Sequence, residues 1–445
     1  MKLKKPINVN YCATIMTISN TLKLDNCDNV VAGIVSGYQV IVSKDSKKGD
    51  IGVFFPVETQ LSTQFLYNNN LYREATLNKD ETKKGYIEKN SRLKCLKFRG
   101  HKSEGLFIPL KSLEWTGINI ADLKEGDEFD YLLSLEICRK YYPKHNNKNK
   151  INTKNGKTKK RIKKISKMVE GQFRLHCDTS QLKKNIHRIT PDTIISISAK
   201  MHGTSAVFSK VLVKRKLNTI EKILKFVGVK IQDSENTITY SSRKVIKNEF
   251  FTNKKAQGYY SKNIWEEHAF RIENLIPSGM TVYGEIVGYI GKDSFVQKGF
   301  HYGCSNGTSE LYIYRITLTN NNGEVFELNR TQIDDYCTRV GLKSTQLFYY
   351  GKARDLYPDI ICDDNWHSNV LTKLDNDPNY HMNNIKCPLN NGEVPAEGCV
   401  VRIENMYDAA PFKLKNYDFL TYESKLMDKG EVDIESEQSE VTDEC

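Results

Sequence analysis

No run of apolar residues in this chain approaches the ~20 that a membrane-spanning helix requires. The first residues, Met1-Lys2-Leu3-Lys4-Lys5-Pro6, carry charge but no apolar stretch, so no secretory leader is expected. Paired thiols are missing as well. The 11 cysteines include no C-x-x-C spacing, and their number is odd. Scattered thiols without a leader fit a reducing compartment better than a disulfide framework. Cys362, His367, His381 and Cys387 follow no standard zinc spacing and read as unrelated loop residues. Acid is absent from residues 139–167, which hold thirteen Lys or Arg.

What is present is a chain of 445 residues, long enough for two or three domains with full cores. A charged share of 27% and a mean hydropathy of -0.54 fit a soluble protein. The net charge of +12 is concentrated: without residues 139–167 the balance is -1. That basic stretch is too poor in apolar residues to pack a core. It is expected to be a flexible linker that can also touch a phosphate backbone. Residues 428–445 carry a net -7 and read as an acidic tail. The cytoplasm is the expected location. The run Lys159-Lys160-Arg161-Ile162-Lys163-Lys164 also fits a nuclear signal.

Before the basic stretch, short apolar runs alternate with turns. Val30 to Val35 and Tyr38 to Val42 flank Ser36-Gly37, a two-residue hairpin signal. Lys47-Lys48-Gly49-Asp50 turns into Ile51 to Pro56, and two more runs follow around Leu96 and Phe107. This spacing suits a small OB-type barrel. Arg92, Lys94, Lys97, Arg99 and Lys102 would line its nucleic-acid face, or else only its solvated side.

After the basic stretch, the informative segment is Lys200-Met201-His202-Gly203-Thr204-Ser205, set between two apolar runs. This reads as strand, turn, strand, with Lys200 at a strand end. Gly203 permits close backbone approach to a ligand. An ordinary lysine amine is only about one part in a thousand neutral near pH 7.5, so a nucleophilic role needs burial or cationic neighbours. Helices are expected over 220–227 and 263–275. Further on come Arg243 after a strand, Glu285 inside an apolar strand, Tyr314 in an aromatic strand and Glu397-Gly398 before a strand. Lys413 and Lys415 then share one face of an extended segment. Each has a plain alternative. Glu285 could pair with Arg243, Tyr314 could be core, and the two lysines could be solvated.

Taken in order, these residues resemble the covalent nucleotidyltransferase superfamily of ligases and RNA-capping enzymes. Lys200-Met201-His202-Gly203 looks like its nucleophile motif. Arg243 and Glu285 match the ribose-contacting positions, and Tyr314 the base-stacking aromatic. Glu397 matches the carboxylate that holds a hydrated metal, and Lys413 with Lys415 the closing phosphate-binding motif. His202, where DNA ligases and capping enzymes usually carry Asp, points to an ATP-dependent RNA ligase. The barrel placed before the nucleophile is similar to the branch with an N-terminal OB-type module. Arg315 departs from the related ligases, which often have an acid there.

The resemblance implies an α+β fold: an OB-type β-barrel over 1–137, the basic linker over 138–168, an antiparallel-sheet, ATP-grasp-like nucleotidyltransferase domain over 169–425, and the acidic tail over 426–445. It implies ATP and Mg²⁺ or Mn²⁺ as cofactors, and RNA with 3′-hydroxyl and 5′-phosphate ends as partner, a nicked duplex among the forms. No membrane partner is expected, and a monomer is the default. Lys200, His202, Lys413 and Lys415 would be catalytic. Lys200, Arg243, Glu285, Tyr314, Glu397, Lys413 and Lys415 would bind ATP, with Glu397 on the metal. The alternatives are a DNA ligase, a capping-type enzyme and a non-catalytic RNA-binding protein. The segment between Tyr314 and Glu397 has no role readable from sequence.

Overall fold

The computed structural model describes residues 3–143, 169–176, 178–214, 217–247 and 263–430. The expected linker from residue 144 and the acidic tail from residue 431 lie outside the described residues, as does the basic run 159–164. Among the described residues no helix is long and apolar enough to cross a membrane.

The N-terminal strands are β1 (Ala13–Lys23), β2 (Val30–Val35), β3 (Tyr38–Ser43), β4 (Ile51–Pro56), β5 (Gly105–Pro109) and β6 (Glu128–Phe129). They pair in the order β3-β2-β1-β4-β5, with β6 also on β1. The Glu104 amide donates to the Gln39 carbonyl at 2.8 Å, which nearly closes the sheet into the expected barrel. In the β2–β3 turn, Ser36 and Gly37 both have positive φ, 48° and 80°, which matches the right-handed twist of the two strands. A Cβ on Gly37 would stand 2.4 Å from the Leu371 side chain, because the turn packs on a helix of the second domain. Ile15, Val53, Phe55, Phe65 and Phe129 fill the barrel core.

The second domain holds two sheets. Its strands are β7 (Ser180–Gln181), β8 (Ile194–Ala199), β9 (Thr204–Lys214), β10 (Ser234–Ser241), β11 (Met280–Gly291), β12 (Ser309–Thr319), β13 (Val325–Glu327), β14 (Leu347–Lys352), β15 (Gly398–Ile403) and β16 (Ala410–Lys415). One sheet runs β7-β16-β15-β8-β14, and the other has β10-β9-β11-β12-β13 as its main path. Pairing is antiparallel apart from β7 with β16 and a short parallel strand on β12. Among the described residues its longer helices are α1 (Thr219–Phe226), α2 (Ile264–Ile272), α3 (Arg330–Val340), α4 (Trp366–Leu374) and α5 (Tyr417–Asp428). The two helices expected from sequence are α1 and α2. Asn218 and Glu221 form a capping box at the start of α1.

The segment between Tyr314 and Glu397 is scaffold. It supplies β14, which pairs with β8 beside the turn that carries Lys200. It also supplies α3, whose Ile333 and Cys337 join the core under the second sheet. Finally it supplies α4, whose Trp366, Val370 and Leu371 join the core under the first.

All five basic residues expected to face nucleic acid have partners within the chain; Arg92 is buried against the second domain, while Lys97 and Arg99 stay exposed. Arg92 has 1% of its side chain exposed and pairs with Glu58 at 2.7 Å and with Asp428 of α5 at 3.0 Å. Lys94 meets Glu88 and Asp428, and Lys97 meets Asp418 of α5. Lys102 lies over the Tyr417 ring, and Arg99 donates to the Asn26 carbonyl. Strand alternation reveals a polar face, but not which surface will cover it. A second buried pair fixes the same interface, with Lys183 on Glu104 at 2.7 Å and on Asp375 at 3.0 Å.

Removing Arg92 leaves Glu58 buried without its cation. Arg92→Ala is expected to destabilise the fold by about 3–5 kcal/mol, read as a lowered denaturation midpoint.

Candidate active site

The site forms where the chain passes from one sheet to the other. Lys200 follows the last residue of β8, and its amide donates to the Gly398 carbonyl at 3.0 Å. Its side chain reaches Glu397, Nζ to Oε1, at 2.7 Å. The adjacent order of β8, β15 and β16 makes this possible. Ala199 lies opposite Cys399, and Gly398 opposite Lys415, so Lys200, Glu397 and Lys415 emerge at one level. Gly398 takes φ +124°, and a Cβ there would stand 2.2 Å from the Leu414 carbonyl, so the strand can begin this tightly only with glycine.

Lys415 Nζ is 3.6 Å from the same Glu397 Oε1 and 3.1 Å from Glu423 of α5. Burial would raise the Glu397 carboxyl, but the ammonium groups of Lys200 and Lys415 outweigh it and hold the carboxyl below its usual range. Its second oxygen, Oε2, is buried without a hydrogen-bond partner among the described residues. A buried carboxylate oxygen left open in this way fits a site for a hydrated cation.

Lys413 and Lys415 share one face of β16, while Phe412 and Leu414 face the core. Burial lowers the Lys413 ammonium to about 7, with help from Lys415, Lys200 and Arg243. Arg243 pairs with Asp178, Nη2 to Oδ1 at 2.7 Å. Burial works against the Asp178 carboxylate, but Arg243 more than offsets it and lowers its pKa.

The turn is fixed by its backbone. The Gly203 amide donates to Glu285 Oε1 at 3.1 Å, and the Gly203 carbonyl accepts from Gln297 at 2.9 Å. Glu285, opposite Ser205 in the β9–β11 pair, therefore has a partner inside its apolar strand. A Cβ on Gly203 would lie 2.3 Å from the Ile286 carbonyl, so the close approach expected of this glycine is to the neighbouring strand. The His202 amide donates to the Tyr302 hydroxyl at 2.7 Å. The His202 ring stands edge-on to Phe300 and Phe419, with centroids at 4.9 and 5.0 Å.

Tyr314 sits where the β11–β12 register shifts, between Tyr283 and Gly284. The bulge leaves Tyr314 and Arg315 both half-buried, out of step with the core-facing Ile313 and Ile316. The Tyr314 hydroxyl meets Ser205 Oγ at 3.3 Å and His176 Nδ1 at 3.1 Å. Burial, then Arg243, lowers the His176 ring to about 3, so it is neutral. Arg315 is engaged by Glu327 and lies over the Tyr283 ring at 4.5 Å.

Lys200, Glu397 and Lys415 are thus in direct contact. Lys413 and Arg243 join them electrostatically, and Glu285 and Tyr314 border the turn from the second sheet. Reading the sequence alone missed Asp178, His176, Tyr302, Phe419 and Glu423. The i, i+4 spacing of Phe419 and Glu423, just after Lys415, was the one local signal for the last two.

A family model described as RNA ligase matches residues 193–415, half of the chain. The chain belongs to the RNA ligase family. It is therefore an enzyme that joins RNA. A second model, an OB-fold domain, matches residues 12–110, within the barrel. No curated protein matches the chain in sequence.

Solved structures of an RNA ligase from Naegleria gruberi are similar in fold. A mutant with AMP and Mn aligns with a TM-score of 0.54 at 15% identity, covering 92% of this chain and 98% of that one. A mutant without ligand aligns at 0.56 and 16%, covering 94% and 100%. A structure with PPi aligns at 0.54 and 14%, covering 94% and 100%.

The Lys413 environment gives this ligase a proton linkage. Burial and cationic neighbours lower its ammonium to about 7, so at pH 8 the free amine should predominate in the free protein. A polyphosphate anion favours the ammonium, so binding should draw a proton in. Calorimetry with tripolyphosphate in two buffers of different ionisation enthalpy should read uptake of nearly one proton at pH 8 and much less at pH 6. Lys413→Met should abolish it.

Proposed function

We propose that this ligase uses ATP to join RNA 3′-hydroxyl and 5′-phosphate ends through a lysyl-AMP intermediate on Lys200. The observation that carries the reading is the contact of Lys200 and Lys415 with the buried Glu397, whose other oxygen is left open. The AMP, ATP, Mn and PPi of the Naegleria gruberi structures support the choice of nucleotide and metal.

In the first step the Lys200 ammonium gives one proton to solvent, leaves Glu397 as the free amine and attacks the α-phosphorus of ATP. An N–P bond forms, the bond to the β-phosphate oxygen breaks, and pyrophosphate and a proton depart. In the second step a 5′-phosphate oxygen of the RNA attacks the same phosphorus. The N–P bond breaks, the amine regains a proton, and AMP is carried on the RNA end. In the third step the 3′-hydroxyl attacks the RNA phosphate, loses its proton, and AMP leaves. Phosphoryl transfer of this kind is mostly positioning and charge neutralisation.

Lys413 and Lys415 neutralise the phosphates, Arg243 and Glu285 hold the ribose, and Tyr314 stacks on the base. His202, packed between Phe300 and Phe419, orients the turn and serves the later steps. Glu397 would hold a hydrated Mg²⁺ or Mn²⁺, which when bound supplies positive charge beside the reacting phosphate.

The barrel, residues 1–137 in our division, would select the 3′-hydroxyl strand, and 169–425 would carry the chemistry. A nicked duplex suits two strand ends presented together, and one chain carries all the residues named, so a monomer suffices. The nine described cysteines are free thiols, which suits the cytoplasm.

The test is α-labelled ATP with Mg²⁺ on a denaturing gel. Wild type should retain the label. Lys200→Ala should lose it, and Lys200→Arg should not restore it, because a guanidinium stays charged. Label on Lys200→Ala would overturn the nucleophile assignment. Labelling by GTP instead would favour a capping-type donor, and equal sealing of all-DNA nicks would remove the RNA preference.

A further inference from the structure

Helix α5 follows the last strand of the site directly, and the ligation steps above give it no role. Yet two of its residues form a seat for Lys415. The ammonium lies 5.0 Å above the Phe419 ring and 3.1 Å from Glu423, one turn later on the same helix face. Lys415 and Glu423 are both largely buried, with 16% and 12% of their side chains exposed.

The barrel fixes this helix along its length. The Tyr417 hydroxyl donates to the Leu96 carbonyl at 2.6 Å. The Ser424 hydroxyl donates to Glu58 at 2.6 Å. Asp428 takes Arg92 at 3.0 Å and Lys94 at 3.1 Å. Glu423 is therefore not a wandering surface carboxylate. Side-chain contacts at Tyr417, Ser424 and Asp428 pin the helix on both sides of it.

Its counterpart in the site is Glu397. Lys200 and Lys415 both aim at the same oxygen, Oε1, but Lys200 reaches it at 2.7 Å while Lys415 stands off at 3.6 Å. Glu423 supplies the opposing pull. We propose that Glu423 is a positioning residue for the first chemical step, drawing the Lys415 ammonium aside from Glu397 and keeping it available to the phosphate. The proposal rests on the reading of Lys415 as a phosphate-binding group. Without the Glu423 charge, the balance of attraction shifts Lys415 toward Glu397. There it competes with the nucleophile for one oxygen and crowds the open edge of the carboxylate. The N-terminal barrel thereby acts on adenylation at a distance, by fixing the helix that carries Glu423.

The experiment is single-turnover formation of enzyme–AMP over a range of ATP concentrations. The proteins are full-length wild type, Glu423→Gln and Lys415→Ala, each with its melting temperature. Glu423→Gln keeps size and hydrogen bonding but removes the charge. It should slow the maximal rate about tenfold, with half-saturating ATP changed less than about threefold. Its melting temperature should stay within about 2 °C of wild type. Lys415→Ala should form almost no enzyme–AMP. If Glu423→Gln reacts at the wild-type rate while Lys415→Ala is silent, the Glu423 role is overturned and the reading of the site stands. If Lys415→Ala reacts normally, the reading beneath the proposal is overturned. A slowed Glu423→Gln rate that comes with a lowered melting temperature and recovers on cooling marks a structural role only, and also overturns the proposal.

Discussion

Glu397 lies with 2% of its side chain exposed, and two ammonium groups converge on one of its oxygens. Taking a carboxylate out of water costs several kcal/mol, and only close, well-aligned cations offset it. That requirement dictates much of the domain. Lys200 must follow β8, Glu397 must precede β15, and Lys415 must end β16, with the three strands adjacent. Gly398 must permit the tight start of β15. The remaining cations, Lys413 and Arg243, then crowd a region already rich in positive charge. Burial first, and then this crowding, lower the Lys413 ammonium. Four cations close together, Lys200, Lys413, Lys415 and Arg243, are suited to holding a polyphosphate.

The barrel bears on this cleft through contacts that were not expected of it. Its basic strip meets the acidic side of α5, and Lys183 of the second domain is buried against Glu104 of the barrel. Phe419 and Glu423, on the other side of α5, meet His202 and Lys415. One helix thus touches the barrel on one face and His202 and Lys415 on the other. The fold couples the module expected to select RNA to the residues expected to activate ATP, without a flexible joint among the described residues.

Much of this was legible in the sequence. Ser36-Gly37 announced its hairpin because a glycine, which tolerates positive φ, stands between two apolar runs. Lys413 and Lys415 announced a shared face because strand periodicity is two. The eight residues singled out by order and type are proposed site residues; the structure puts Lys200 and Lys415 on Glu397 and sets Glu285 and Tyr314 beside the turn. Local pattern could not show the long-range partners. Arg92 reads as a surface residue until Glu58 and Asp428, the latter over three hundred residues away, close on it. Glu285 and Arg243 were natural partners by charge, yet Glu285 accepts from the Gly203 amide and Arg243 pairs with Asp178. A backbone donor leaves no trace in composition. The segment between Tyr314 and Glu397 was opaque for a similar reason, since β14, α3 and α4 take their meaning from the sheets they cover.

The most direct test of the account is enzyme–AMP formation by Glu397→Gln, followed across a wide range of Mn²⁺ concentrations with folding checked by melting. The amide keeps the shape of the side chain but cannot anchor two ammonium groups or hold a hydrated cation as the carboxylate does. The account predicts a folded protein that forms almost no enzyme–AMP at any Mn²⁺ concentration. Labelling at the wild-type rate would contradict it, because the site would then work without the charge on which it is built.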